Sequence, residues 1–171
     1  AYDYAAKTFV AGRKVLGDEK AFAFDLIGLY RFKRDKVMLM HEYLGLLQDN
    51  GDVLQQAKNG LSSIFEEDAD YEMLKVSVNK RLQKTPTHTA LNDLNIWLLM
   101  RLKDHDAALK QAIALDKRLQ EQGERVYELG RTLTFARNYS KASEAFRYVI
   151  SLGNSAPFYL QAKIDLVGVQ N

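Results

Sequence analysis

The sequence predicts an all-α protein of about ten antiparallel helices, and three observations carry that expectation. Apolar residues recur at three- and four-residue steps almost throughout, β-branched alternation is scarce, and only two prolines occur in 171 residues. Helical stretches are also interrupted at short, regular intervals by groups suited to turns and caps. Gly and Asn suit a left-handed exit from a helix, and Asp, Ser and Thr accept from the free N–H groups of the next one.

Taken in order, the first helix covers 2–16 and ends in LGDE at 16–19. Two helices then occupy 21–54, divided by FKRD at 32–35 and closed by QDNGD at 48–52. The next pair occupies 55–88, divided by EEDAD at 66–70 and closed by KTPTHT at 84–89, with Asp52 and Gln55 placed as a capping box. A third pair fills 89–122 around LKDHD at 102–106, and a fourth fills 123–156 between EQGE and LGNSAP, divided by ARNYS at 136–140. The terminal helix, 157–169, starts with Pro157 in its first turn if Ser155 is the cap, where the missing N–H costs nothing. Loops of a few residues force consecutive helices to be antiparallel neighbours.

Composition narrows the function. The 24 Lys and Arg nearly balance 22 Asp and Glu, so binding to nucleic acid or an anionic membrane would need a local patch. The basic clusters RFKR at 31–34 and KRLQK at 80–84 are short and read as solvated surface, so no nucleic acid is expected. With no cysteine there is no disulfide, thiolate zinc site, thiol nucleophile or iron–sulfur cluster. No apolar run approaches the roughly 20 residues of a membrane span, and charge interrupts the start AYDYAAKTFVAGRK where a signal peptide would be apolar. The first residue, Ala1, reads as the start of a processed or trimmed piece of a longer protein.

The stretch GRTLTFARNYSKASEAF, residues 130–146, repeats its pattern at 34 residues. Gly130, Ala142, Phe146 and Val149 align with Ile96, Ala108, Ala112 and Leu115, then with Ser62, Leu74, Val78 and Arg81, then with Gly28, Met40, Leu44 and Leu47. A further column joins Leu133, Leu99 and Phe65 but meets Arg31 in the first unit. Small residues at Gly130 and Ala142 are expected to let two helix backbones approach, with Phe146 filling the space toward the next hairpin. A helical Gly costs on the order of 1 kcal/mol relative to Ala, which the close contact must offset.

These residues resemble the tetratricopeptide repeat family. In 123–156 the match consists of Val126, Leu129-Gly130, Leu133, Ala142 and Phe146; 89–122 keeps Leu99, Ala108 and Ala112, 55–88 keeps Pro86, and 21–54 keeps Phe24, Ile27-Gly28 and Leu44. The resemblance implies a right-handed α-α superhelix, one array with a half repeat at 2–16, four repeats and a terminal helix. It also implies a peptide-binding groove lined by the first helix of each hairpin. The family's groove positions fall on Phe22, Asp25, Leu29 and Phe32; on Gln56, Asn59, Ser63 and Glu66; on Ala90, Asp93, Trp97 and Met100; and on Glu124, Tyr127, Arg131 and Thr134. Trp, Tyr and Arg dominate interface energetics, which singles out Trp97, Tyr127 and Arg131. The carboxylate clamp of the chaperone-tail binders is missing, since its positions hold Asp25, Leu29, Gly60, Ala90 and Leu94.

The two ends read as single helices without one neighbour. In the last, Tyr159, Leu160, Ile164, Leu166, Val167 and Val169 spread apolar groups around most of the helix, as expected where two faces are covered, by further repeats or by self-association.

No catalytic constellation is expected. His41, His88 and His105 lack metal-ligand spacing and read as exposed or incidental. In EEDADYE, Asp68, Asp70 and Glu72 alternate as in a calcium loop, but Met73 and Asn79 stand where Gly and a bidentate Glu are required, so the acids read as helix-start residues. Phosphate-cradling and nucleophile-elbow motifs do not occur. The expectation is therefore a non-enzymatic scaffold with no cofactor or metal that binds a protein or peptide. The alternative is a sensory or regulatory region of a larger signalling protein.

Overall fold

A computed structural model describes residues 1–170. Ten α-helices and one short 3-10 turn account for the ordered elements among them: α1 (Tyr2–Leu16), α2 (Ala23–Phe32), α3 (Lys36–Asp49), α4 (Leu54–Ser62), α5 (Asp68–Leu82), α6 (Thr89–Arg101), α7 (His105–Leu119), α8 (Glu124–Phe135), α9 (Tyr139–Ser151) and α10 (Tyr159–Gln170), with the 3-10 turn at Gly51–Val53. All nine breaks read from the sequence separate helices. None of these helices is long and apolar enough to cross a membrane. The chain forms two compact units, Ala1–Leu94 and Asn95–Asn171, whose boundary falls inside the continuous α6.

Three of the turns inside hairpins are built alike. Arg34, Lys103 and Arg137 take left-handed φ values of 55°, 61° and 58°. The next residue closes the preceding helix and opens the following one. Asp35, Asp104 and Asn138 donate their backbone N–H to Tyr30, Leu99 and Leu133, and their side chains accept from the backbone N–H of Met38, Ala107 and Lys141. This is a Schellman exit followed at once by an N-cap. Gly or Asn was expected at the exits, and long basic residues stand there instead, side chains exposed, at a cost of roughly 1 kcal/mol each for an L-residue in this region.

Elsewhere the caps differ from the expectation. The Asp52–Gln55 box does not form: Asn50 accepts from the Asp52 N–H and the chain enters α4 through the 3-10 turn. A capping box does close α5, between Glu67 and Asp70, so the acidic run serves a helix start as expected. Pro157 lies in the turn ahead of α10 rather than in its first turn, and the Ala162 N–H bonds to the Phe158 carbonyl.

In the first unit, α2 packs on α1 and α3, and α3 packs on α4 and α5. Leu26, Leu39, Tyr43, Leu44, Leu47, Leu61, Leu74, Leu91 and Leu94 are fully buried. A buried ion pair ties α1 to α3: Arg13 donates both Nη atoms to Glu42, at 2.9 and 2.6 Å, and its Nε to the Ala21 carbonyl. In the second unit α9 packs between α8 and α10 and touches α7. Its core is rich in small residues, Ala108, Ala112, Ala142, Ala145 and Ala162, around Phe146. Buried Asp116 accepts from the Gly123 N–H and the Tyr148 hydroxyl, both at 2.7 Å. Burial, then that hydrogen bond, raises the Tyr148 pKa well above the usual phenol value.

The repeat columns of the second helices are buried in every hairpin: Met40, Leu74, Ala108 and Ala142, then Leu44, Val78, Ala112 and Phe146. Gly130 is a close approach. A Cβ there would lie 2.7 Å from Phe146 Cε1 and 3.1 Å from Ala145 Cβ, so its neighbours are Phe146 and Ala145 of its own hairpin rather than Ala142. Gly28, expected to do the same, has no atom within 4 Å of such a Cβ. In the first unit a close approach is made by Gly60 instead, whose Cβ would sit 2.6 Å from Tyr43 Cζ, on the second helix of the preceding hairpin rather than of its own. On α10, the ridge of Leu160, Ile164 and Val167 is exposed at 68, 71 and 59%.

Candidate binding cleft

The first helices of the first two hairpins, α2 and α4, flank a cleft of about 520 Å³. Its floor is Tyr43 of α3, wedged against Gly60 because α4 carries no Cβ at that point. Burial raises the pKa of the Tyr43 hydroxyl. Phe24, Gly28 and Arg31 come from α2, one helical turn apart, and Gln56 and Asn59 from α4. Gly28 leaves the α2 backbone open to this space, which is the role the structure gives it in place of helix packing. Phe24, 56% exposed, supplies an apolar contact, Arg31 a guanidinium, and Asn59, whose Oδ1 accepts from Gln55, an amide donor. The cleft thus sets an exposed ring, a guanidinium and two amides beside one another, an apolar contact with hydrogen-bonding groups around it.

Of the residues expected in the groove, Gln56 and Asn59 line this cleft, and Asp25 and Leu29 lie on α2 outside its lining, exposed and half-buried respectively. Phe22 and Phe32 turn toward α1. The Phe22 ring is 5.2 Å from that of Phe9, and the Phe32 ring 4.6 Å from that of Tyr2. Asp93 and Trp97 are half-buried on α6, and Met100 packs against the core of the second unit.

Tyr127 departs furthest from the expectation. It is 7% exposed, its ring stacks on Phe158 at 4.8 Å, and its hydroxyl donates to Asp165 at 2.9 Å. It is a core residue joining α8 to α10, since an aromatic with a satisfied hydroxyl fills an interior gap as readily as it anchors a ligand. Burial first, then Asp165, raises its pKa. Arg131 is exposed beside Glu128, 3.7 Å away. Ala108, Ala142 and Phe146 are buried, as packing residues should be.

Two histidines do structural work that the sequence reading missed. His88 Nδ1 accepts from the Leu91 N–H at the start of α6, and its Nε2 lies 3.0 Å from the Gln48 carbonyl, which fixes Nε2 as the protonated nitrogen. Asn138 donates its side-chain NH2 to His105 Nδ1 at 2.8 Å while its Oδ1 caps α9. For the three like turns, though not for the histidines, a signal was present in a basic residue followed by Asp or Asn, found at 34–35, 103–104 and 137–138. The last two of these pairs are one repeat apart, and both precede helix starts.

No protein-family model matches the chain, and neither does any curated protein or solved structure, so what the cleft can do is read from its own geometry.

Proposed function

We propose that the chain is a tetratricopeptide-like, right-handed superhelix of hairpins that acts as a non-catalytic scaffold, holding a peptide or partner helix along its first helices. The observation that carries this reading is the cleft between α2 and α4, where exposed Phe24 and Arg31 face the amides of Gln56 and Asn59 over a tyrosine floor. The repeated turns support it, as do polar links between second helices of successive hairpins, such as Lys36 to Asp70 at 2.8 Å and Lys141 to Asp106 at 2.8 Å. In the second unit Trp97 and Arg131 stand on first helices, α6 and α8, in this reading, and Tyr127 is a packing residue.

The test is peptide selection from a random display library on the wild-type chain, followed by binding to a Phe24→Ala, Arg31→Ala, Asn59→Ala variant. All three side chains are exposed, so the variant should keep its helical circular dichroism. Selected peptides should lose at least about tenfold in affinity, as expected when hot-spot side chains are truncated. Equal binding to both proteins removes the assignment.

A further inference from the structure

Two depressions of about 840 and 500 Å³ adjoin on the first unit and share His41, Gln48 and Arg81. They are built mainly by α1, α3 and α5, with the start of α2 and the turn before it closing the larger. Val10, Ala23 and Leu46 provide apolar lining in the larger, and Val37, Met40 and Leu44 in the smaller. Around them stand Lys14, Lys80, Arg81 and Lys84, none in an ion pair among the described residues, against one exposed acid, Glu19, with Arg13 committed to Glu42 and Lys20 to Asp49.

Arg81 is the informative residue. Its repeat column holds Leu47, Leu115 and Val149 in the other hairpins, all buried, so a guanidinium stands where the fold calls for an aliphatic group. It is half-buried without a carboxylate, and desolvation alone lowers its pKa. A cation withdrawn from water without an opposite charge is destabilising unless something supplies one. Lys14, Lys80 and Arg81 all stand in the last turns of their helices, where a cation is favoured, but that placement is available to an exposed side chain and does not account for a half-buried charge in an apolar column.

We propose that this paired depression is a second binding site that takes an acidic protein segment, with aliphatic side chains between its carboxylates and one carboxylate on Arg81. The aliphatic lining calls for apolar groups in the ligand, and the rim cations call for negative charge. No Phe, Tyr or Trp lines either depression, which leaves no stacking platform for single-stranded nucleic acid. The cations surround concavities, whereas a lipid leaflet is met by protruding side chains on a convex or flat face.

The experiment is fluorescence anisotropy on the whole chain with a fluorescein-labelled peptide repeating Glu-Asp-Leu, at about 0.05 M salt, where screening is weak. The comparison ligands are the same peptide with Lys for its acids, an oligo-dT strand and phosphatidylserine vesicles. The acidic peptide should bind, and binding should fall at least about tenfold in Arg81→Met and in Lys80→Ser/Lys84→Ser, as for lost charge-assisted contacts, while Arg147→Met, an exposed cation of the second unit, binds as wild type. Arg81→Met keeps the aliphatic stem and removes the desolvated charge, so it should melt no lower than wild type. The proposal is overturned if the acidic peptide does not bind at low salt, if both variants bind it undiminished, or if oligo-dT or vesicles bind at least as tightly.

Discussion

Gly28 and Gly130 occupy one column of the repeat, yet alanine should act on them with opposite sign. At either site, replacing a mid-helix Gly by Ala gains up to about 1 kcal/mol from backbone entropy. At Gly130 the added methyl would lie 2.7 and 3.0 Å from two atoms of the Phe146 ring and 3.1 Å from Ala145 Cβ. Phe146 is 1% exposed and Ala145 fully buried, so neither has space to retreat into, and overpacking of this kind costs about 1–3 kcal/mol. With the full gain of about 1 kcal/mol set against it, the net for Gly130→Ala is a loss of up to about 2 kcal/mol, with Gly130→Leu worse. At Gly28 no atom lies within 4 Å, so the propensity gain stands alone. Thermal unfolding followed by circular dichroism separates them, since a domain of this size shifts by about 2–4 °C per kcal/mol. The midpoint should fall for Gly130→Ala and hold or rise for Gly28→Ala. A Gly130→Ala protein as stable as wild type, or a clearly destabilised Gly28→Ala, would refute the packing argument.

Three further outcomes follow from the buried polar groups and ion pairs. Glu42→Ala leaves the Arg13 guanidinium buried without its bidentate partner and should cost about 3–5 kcal/mol in urea unfolding, whereas a Glu42→Leu, Arg13→Met pair should recover most of that loss. Asp116→Ala removes the acceptor of both the Gly123 N–H and the Tyr148 hydroxyl and should cost about 1–3 kcal/mol by the same measurement. Asp106, held by Lys110 and Lys141, should titrate at about 2 in a carboxylate NMR series. Its folded pKa lies below the unfolded value of about 3.9, so its contribution is complete above that pH and disappears as the pH falls through about 2.

The second helices were legible in the sequence because their columns answer to burial alone: Met40, Leu74, Ala108 and Ala142 differ in size yet all face the interior. First helices were less so, because their spacing depends on the turn. Three residues separate the helices of the first, third and fourth hairpins, but five, Ser63–Glu67, separate α4 from α5. Gly60, two residues ahead of Ser62 in the expected column, makes a contact of another kind, with Tyr43 of the preceding hairpin, and Gly28 faces a cleft although its own turn has the common length. Tyr127 was misplaced for another reason. Helical spacing assigns a face but not a neighbour, and α10 covers that face through Phe158 and Asp165. The basic depression was half legible: KRLQK at 80–84 stood out as a cluster but read as solvated surface, because Lys14 and the apolar lining of α1 and α3 are remote in sequence and join it only when the helices pack.

The continuity of α6 across the boundary at Leu94 and Asn95 governs how the chain can be divided experimentally. A cut at that boundary severs one 13-residue helix into stubs of six and seven, each below the roughly 12 residues at which an isolated helix becomes even marginal. Leu91 and Leu94 would leave with one piece and Leu98 and Leu99 with the other, each stub with an apolar face to bury and too few backbone hydrogen bonds to hold its shape. A fragment ending at Lys103 or beginning at Lys84 keeps the helix whole, and overlapping fragments that share α6 should fold where abutting ones precipitate.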